Sequence, residues 1–266
     1  MVYNAFKAKD ELNIIEEYFE LFFNEDMISF NTTIAPVALP LITYIKKENA
    51  IIEADKNLDL HGLMLTGLFS NSYPLKINEE ASSIGIALHP TALYKLIGYD
   101  VSKLKNNHVP LKEVSKDLHH LLLPLFESEL KDKIALEAIK NSFKSMPLLI
   151  DKHTKNVDQA IKLIRKKEGL LKVSDLLKEI PVSQKTLETT FKRIVGITPG
   201  KYMKLFRFIR LMRRYVNQNT KIKDLIFMYD YYDESHFTKD FKLFMRKSPK
   251  EYFQEDYIFA KEYLKK

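Results

Sequence analysis

The chain has 266 residues, 45% hydrophobic and 29% charged, with 17 Phe and 14 Tyr, an ordinary globular composition that excludes intrinsic disorder as a whole-chain reading. It has no cysteine, which rules out disulfide frameworks, cysteine-ligated metal centres and thiol nucleophiles. The net charge is +7, yet 18 Lys+Arg against 9 Asp+Glu fall within residues 169–252, leaving 24 against 26 elsewhere; a surplus confined to the C-terminal third suggests a polyanion-binding module attached to a nearly neutral one.

In chain order, the N-terminus shows no apolar core of signal-peptide type. Residues 10–23 are ambiguous: Leu12, Ile15, Phe19 and Phe22 keep helical spacing, while residues 18–23 also read as the start of a strand. The longest mostly apolar run, residues 34–45, is too short to span a bilayer and is interrupted by Pro36 and Pro40, so the sequence reads as cytoplasmic with no membrane partner. Residues 27–112 hold four of the seven glycines, and Pro36, Pro40, Pro74, Pro90 and Pro110 punctuate them. Short apolar runs at 37–45, 62–69, 75–77 and 83–88, separated by turn-type clusters, predict β-strands of a sandwich or small barrel. Leu63, Leu65, Ile84 and Ile86 would line either a pocket for a small apolar effector or a filled core. A helix is expected over residues 90–98, with Pro90 in its first turn and Gly98 past its end.

From about Val114 the pattern is helical. One apolar stripe is Leu118, Leu121, Leu122, Leu125 and Phe126; another is Ile134, Leu136, Ile139 and Phe143. The polar stretch 151–156 marks a domain boundary, after which Val157, Ile161, Leu163 and Ile164 open a new helix.

Residues 172–195 carry a denser signal. Val173, Leu176 and Leu177 predict a short amphipathic helix, Ile180-Pro181-Val182 breaks it, and Ser183 is a good N-cap for a second helix. Leu187, Phe191 and Ile194 give that helix one core face. Gln184, Lys185, Glu188, Thr189 and Lys192 occupy the opposite face, and Gly196 is placed to end the helix in a left-handed conformation. This is a helix-turn-helix pattern, whose second helix suits the width and chemical code of the DNA major groove. Residues 221–245 repeat the unit: Ile222, Leu225 and Ile226, a turn at Tyr229–Tyr232, a cap at Asp233, a core face of Phe237, Phe241 and Phe244, and an outward face of Glu234, Ser235, Thr238, Lys239 and Lys242. Each copy runs into a Thr/Ser-Pro-x-x-Tyr ending, Thr198–Tyr202 and Ser248–Tyr252. Between them, residues 199–216 predict a helix of roughly 27 Å, long enough to hold two reading heads about one turn of DNA apart. Tyr202, Leu205, Phe206, Ile209 and Met212 would pack inward, with Lys204, Arg207, Arg210, Arg213 and Arg214 as a basic fringe. The aromatic set Tyr229, Tyr231, Phe237, Phe241 and Phe244 reads as core, and His236 as a packed helix residue.

Residues 157–254 resemble the DNA-binding domain of AraC/XylS-type transcriptional regulators. The resemblance is carried by Tyr231-Tyr232-Asp233-Glu234-Ser235-His236-Phe237-x-x-x-Phe241 with Ser248-Pro249-x-x-Tyr252 beyond it. Ser183-x-Lys185-Thr186-Leu187-x-x-x-Phe191-Lys192 with Gly196-x-Thr198-Pro199-x-x-Tyr202 resembles the first-copy signature. The front of the chain resembles the β-rich domain of uncharacterised function that precedes this DNA-binding domain in many bacterial regulators. The resemblance implies base reading by Lys185, Glu188 and Thr189 in the first copy and by Glu234, Ser235, Thr238 and Lys239 in the second. It implies phosphate contacts for Lys192, Lys201, Lys204, Lys242, Lys247 and Lys250. Two departures stand out: Asp230 replaces a usual Gly, and Arg246 replaces the Gly that usually ends the last helix, implying strain or a different cap. Thr189 and Lys239 stand where the family often has Arg, and Thr189 cannot make a bidentate contact to guanine.

The expected fold is therefore α+β: a β-rich sensor or dimerisation domain (1–112), a helical linker region (113–156), an all-α domain of two helix-turn-helix units joined by a long helix (157–254), and a C-terminal helical tail (255–266). The expected function is sequence-specific binding of double-stranded DNA by a transcriptional regulator, under control of a small-molecule effector, as a homodimer, and in contact with RNA polymerase if it activates. The alternatives are a ligand-binding or protein-interaction module with degenerate DNA reading, and a DNA-targeted enzyme. Against the last, the sequence shows no phosphate-binding glycine loop, no nucleophile elbow and no metal-ligand spacing, so no cofactor and no metal are expected. His119 and His120, being adjacent, point apart on a helix.

Overall fold

The computed structural model describes residues 2–22, 30–46, 51–77, 81–128, 130–218 and 221–254; the expected tail 255–266 lies outside them. Ten strands occur among the described residues: β1 (Val2–Lys7), β2 (Ile15–Phe22), β3 (Phe30–Ile34), β4 (Leu41–Ile45), β5 (Ile51–Glu53), β6 (Leu58–Leu60), β7 (Gly62–Thr66), β8 (Tyr73–Ile77), β9 (Ser82–Leu88) and β10 (His108–Pro110). They form two antiparallel sheets, one ordered β1-β2-β9-β4-β7-β10 and the other β3-β8-β5-β6. The ambiguous segment after residue 10 is thus a strand. β2 pairs with β1 on one side and β9 on the other, so both its backbone edges are satisfied. Gly85 of β9 faces Phe19, and a Cβ there would lie 2.6 Å from the Phe19 ring, so only glycine lets the two strands approach with that ring between them.

Side-chain alternation divides the interior into two cores. Leu63, Leu65, Ile84 and Ile86 face the helices and belong to the main core. All four are buried and packed there, the filled-core case. The intervening Met64 points to the opposite face, where it packs with Leu21, Ile45, Phe69 and Leu75 between the two sheets.

The helices follow. α1 (Ala92–Ile97) starts after an N-cap at Thr91, so Pro90 lies just outside it, and Gly98 ends it at φ 65°. A 3-10 turn spans Val101–Leu104. α2 (Leu111–Val114), α3 (Lys116–Glu127) and α4 (Asp132–Lys144) occupy the segment read as helical. In α4 the buried stripe is Ala135, Leu136, Ile139 and Phe143, while Ile134 is 67% exposed. α5 (Lys152–Lys166) begins with a capping box: the Asp151 carboxylate accepts from Thr154 N–H at 2.8 Å, and Thr154 Oγ1 accepts from Asp151 N–H at 2.9 Å. The polar stretch at 151–156 is therefore a capped helix start, and the irregular connection is 147–150.

The remaining helices are α6 (Val173–Glu179), α7 (Gln184–Val195), α8 (Pro199–Gln218), α9 (Ile222–Met228), α10 (Glu234–Met245) and α11 (Pro249–Gln254). The main core runs without a break from Ile42 and Ile86 in the sheet, through Leu93 and Val101, to Ile161, Phe191, Leu205 and Phe241. Polar ties cross the same junction. Lys95 is 2% exposed; its ammonium donates to Leu12 O at 3.0 Å and pairs with Asp158 at 2.8 Å. Thr91 Oγ1 donates to the other Asp158 oxygen at 2.7 Å, and Arg165 pairs with Glu16 at 2.8 Å. A buried lysine is tolerable only with such partners.

Candidate nucleic-acid interface

The two helix-turn-helix units have the same interior. In the first, Leu187, Phe191 and Ile194 of α7 are buried; in the second, Phe237, Phe241 and Phe244 of α10 are. Each Thr/Ser-Pro-x-x-Tyr ending starts the next helix and turns its tyrosine back onto the central phenylalanine. Tyr202 meets Phe191 edge-on with centroids 5.6 Å apart, and Tyr252 meets Phe241 at 5.3 Å. Tyr229 and Tyr231 are buried as well, and half-buried His236 stacks edge-on against Tyr231.

Both candidate reading helices start on a side-chain cap. Ser183 Oγ accepts from Thr186 N–H at 3.1 Å, and Asp233 accepts from His236 N–H at 2.7 Å. Their first turns face solvent. Lys185 and Thr189 are exposed, and Glu188 is half-buried and accepts from Gln184 at 2.8 Å. Glu234, Ser235 and Lys239 are exposed and Thr238 is half-buried; Glu234 pairs with Lys223 at 3.4 Å. Lys192, Lys201, Lys204, Lys242 and Lys250 are exposed, and Lys247 is half-buried. α8 joins the units as one 20-residue helix, about 30 Å long at 1.5 Å per residue.

The expected basic fringe of α8 is mostly committed to internal partners. Arg210 and Arg214 bind Glu168 at 2.8 and 3.0 Å, and Tyr229 donates to the same carboxylate at 2.8 Å. Burial pushes the Glu168 carboxyl up. The hydrogen bonds from Arg210 and Tyr229 and the two guanidinium charges outweigh that and hold it below its ordinary value. Arg207 pairs with Asp240 at 3.3 Å and lies over the Tyr231 ring at 4.4 Å. These arginines fasten the second unit to α8. Sequence periodicity shows which face they occupy but not that Glu168 lies opposite.

The two replaced glycines keep the glycine conformation. Asp230 has φ 57° and Arg246 φ 58°, and Arg246 N–H closes α10 on Lys242 O at 2.9 Å. The cap is therefore the usual left-handed one, not a different one. Arg246 is held there by the front domain: its guanidinium bonds Asp55, and it donates to the Asn71 side-chain oxygen at 2.9 and 3.1 Å when that amide is oriented to accept. Beside it, Ser72 N–H donates to Phe244 O at 2.6 Å, capping a carbonyl that the end of α10 leaves free. The C-terminal end of α7 also meets the front domain. The Arg193 guanidinium lies 5.1 Å over the Tyr94 ring, and Gly196 (φ 102°) packs so that a Cβ would lie 3.3 Å from Val101 O.

Residues 176–255 match the family described as Helix-turn-helix domain, and residues 12–110 match Domain of unknown function (DUF6597). No curated protein matches the chain. Among solved structures, ToxT from Vibrio cholerae O395 is similar at 12% identity over 95% of this chain and 97% of that one, with a TM-score of 0.46. Unsaturated fatty acid bound wild-type ToxT from Vibrio cholerae strain SCE256 is similar at 13% identity over 94% of each chain, with a TM-score of 0.45. The AraC-like transcriptional activator CuxR is similar at 12% identity over 74% of each chain, with a TM-score of 0.22. No helix among the described residues is long and apolar enough to cross a membrane. The chain carries a helix-turn-helix domain behind a β-rich domain of unknown function.

Proposed function

We propose that α7 and α10 read bases in two consecutive major grooves, α7 through Lys185, Glu188 and Thr189 and α10 through Glu234, Ser235, Thr238 and Lys239. Lys192, Lys201, Lys204, Lys242, Lys247 and Lys250 hold the phosphates and set register. The observation that carries this reading is the pair of capped helices with solvent-facing first turns, joined through one unbroken helix. Glu188 and Glu234 favour cytosine N4 and are repelled by phosphate, so they contribute discrimination rather than affinity. In this reading residues 1–112 form the sensor domain, 113–156 the helical link and 157–254 the reader, which acts on DNA in the cytoplasm without a catalytic step.

Control by a small effector in the front domain is supported by the ties of Asp55, Asn71 and Ser72 to the end of α10, because a change in those turns is felt by the second reader. Homodimerisation and contact with RNA polymerase complete the proposal. The test is a fluorescence titration on promoter fragments against scrambled duplexes. Specific binding should weaken steeply with salt as counterions are released. Lys239→Ala should change base preference, while Lys250→Ala should weaken all sequences alike. Equal affinity for all duplexes would refute the reading.

A further inference from the structure

The two helix-turn-helix units keep one register. Ser183 and Asp233 cap the second helices, Phe191 and Phe241 centre the cores, and Tyr202 and Tyr252 close them, each pair fifty positions apart. The residue before the cap is half-buried Val182 in the first unit and Tyr232 in the second. Tyr232 is 87% exposed, although Tyr229 and Tyr231 beside it are buried. It makes no hydrogen bond, ion pair or ring contact with the described residues. The fold therefore gains almost nothing from its ring or its hydroxyl.

The charge at this point also differs between the units. Residues 180–184 of the first hold no acid, whereas 230–234 of the second hold Asp230, Asp233 and Glu234, all exposed. Asp233 is engaged with the start of its own helix, and Glu234 with Lys223 at 3.4 Å. The entrance to α10 is acidic where the entrance to α7 is neutral, and acid repels the phosphate backbone. When the second helix of such a unit enters the major groove, its first residues meet base edges. The residue just outside its cap then stands at the rim of the groove, where the sugar-phosphate chain passes. A contact that offsets the repulsion there must come from a donor. The tyrosine hydroxyl is one, and tyrosine is among the side chains that bond phosphate oxygens. Val182 has no such group. Phe227 and Met228 are exposed as well, at 66% and 52%, but they end α9 and carry no side-chain donor.

We propose that Tyr232 is a phosphate-contacting residue of the second unit, its hydroxyl donating to one backbone oxygen at the rim of the groove that α10 enters. The proposal rests on the reading of α10 as a base-reading helix and adds a contact that fixes its register. The first unit has no counterpart, so the contact belongs to the second half of the site alone. Being uncharged, the hydroxyl strengthens binding without releasing a counterion.

The experiment titrates the full chain and Tyr232→Phe, which loses only the hydroxyl, on a promoter duplex and a scrambled control over a range of salt. The variant should bind the promoter duplex roughly tenfold more weakly, the worth of one hydrogen bond to a charged group. Its base preference, its unfolding midpoint and its salt slope should match wild type, whereas Lys250→Ala should lower the slope by about 0.9. A neutral methylphosphonate, placed at each phosphate of the bound duplex in turn, should at one position weaken wild type and leave Tyr232→Phe unaffected. Wild-type affinity in Tyr232→Phe would overturn the proposal and leave the side chain to a protein-facing patch with Phe227 and Met228. A shifted unfolding midpoint, a changed salt slope, a changed base preference or the absence of any such phosphate would overturn it too. Equal wild-type affinity for both duplexes would defeat the base-reading assignment and this inference with it. Specific wild-type binding with an unaffected variant defeats only this inference.

Discussion

In the first helix-turn-helix unit the second helix, α7, ends on Gly196, and in the second unit α10 ends on Arg246, with both residues in the left-handed region. Glycine adopts that conformation freely, whereas an arginine gives up about 1–2 kcal/mol to do so. The first unit therefore closes on its own chemistry and rests against the front domain through packing. The second closes at a cost, offset by ties from Arg246 to Asp55 and Asn71 and from Phe244 to Ser72. Two copies of one architecture thus differ in autonomy, and the second depends more on the β-rich domain.

The comparison can be broken at its largest scale through the paired phenylalanines. Phe191 and Phe241 are both fully buried, and either change to Ala should cost about 3–5 kcal/mol in denaturant unfolding. Hydrogen exchange should tell them apart. Phe191→Ala is expected to loosen α1 and the 3-10 turn that pack on α7, while Phe241→Ala opens α9 to α11 first. Identical exchange patterns would end the claim of unequal dependence. Next in size, Gly196→Ala should destabilise by about 2 kcal/mol, because the left-handed strain adds to a close approach to Val101; a neutral result would show that the first cap is as tolerant as the second.

Glu168→Gln comes third, at about 1–2 kcal/mol, since it weakens the anchor shared by Arg210, Arg214 and Tyr229. The carboxyl is held below its ordinary value of 4.5. Its contribution is therefore present in full above that pH and lost as pH falls through the folded-state value. The variant should flatten the acid limb of the stability curve, and an unchanged limb would remove Glu168 from the account. The smallest effect sharpens the comparison most. Arg246→Ala keeps the strained backbone and loses the ties, whereas Arg246→Gly loses both. The glycine variant should be more stable than the alanine variant by about 1 kcal/mol and within about 1 kcal/mol of wild type. Equal stabilities for the two variants would mean that the left-handed cap carries no cost.

Much of this was legible in sequence because it is local. The caps at Ser183 and Asp233, the two phenylalanine-centred faces and the long α8 all follow from residues within a few turns of each other. What was not legible depends on distant partners or on a one-residue phase. The arginines of α8 look like a DNA-facing fringe until Glu168 and Asp240 are placed against them. Ile134 and Ala135 differ by one position, and the helix buries the smaller residue. Leu63 and Leu65 read in sequence as pocket or core residues, and strand alternation turns them toward the helices while Met64 between them faces the second sheet. His108 stands alone in the sequence, and the Thr66 hydroxyl that bonds its ring comes from a strand more than forty residues earlier.

The bond from Ser72 to Phe244 also orders events in time. Ser72 leaves the ribosome long before Phe244 is made, and domains tend to fold as they emerge. The turn that receives the end of α10 can already be in place when that helix appears. A nascent chain can then finish its second helix-turn-helix unit on a preformed docking surface, so a product misfolded at the front would keep only one dependable unit.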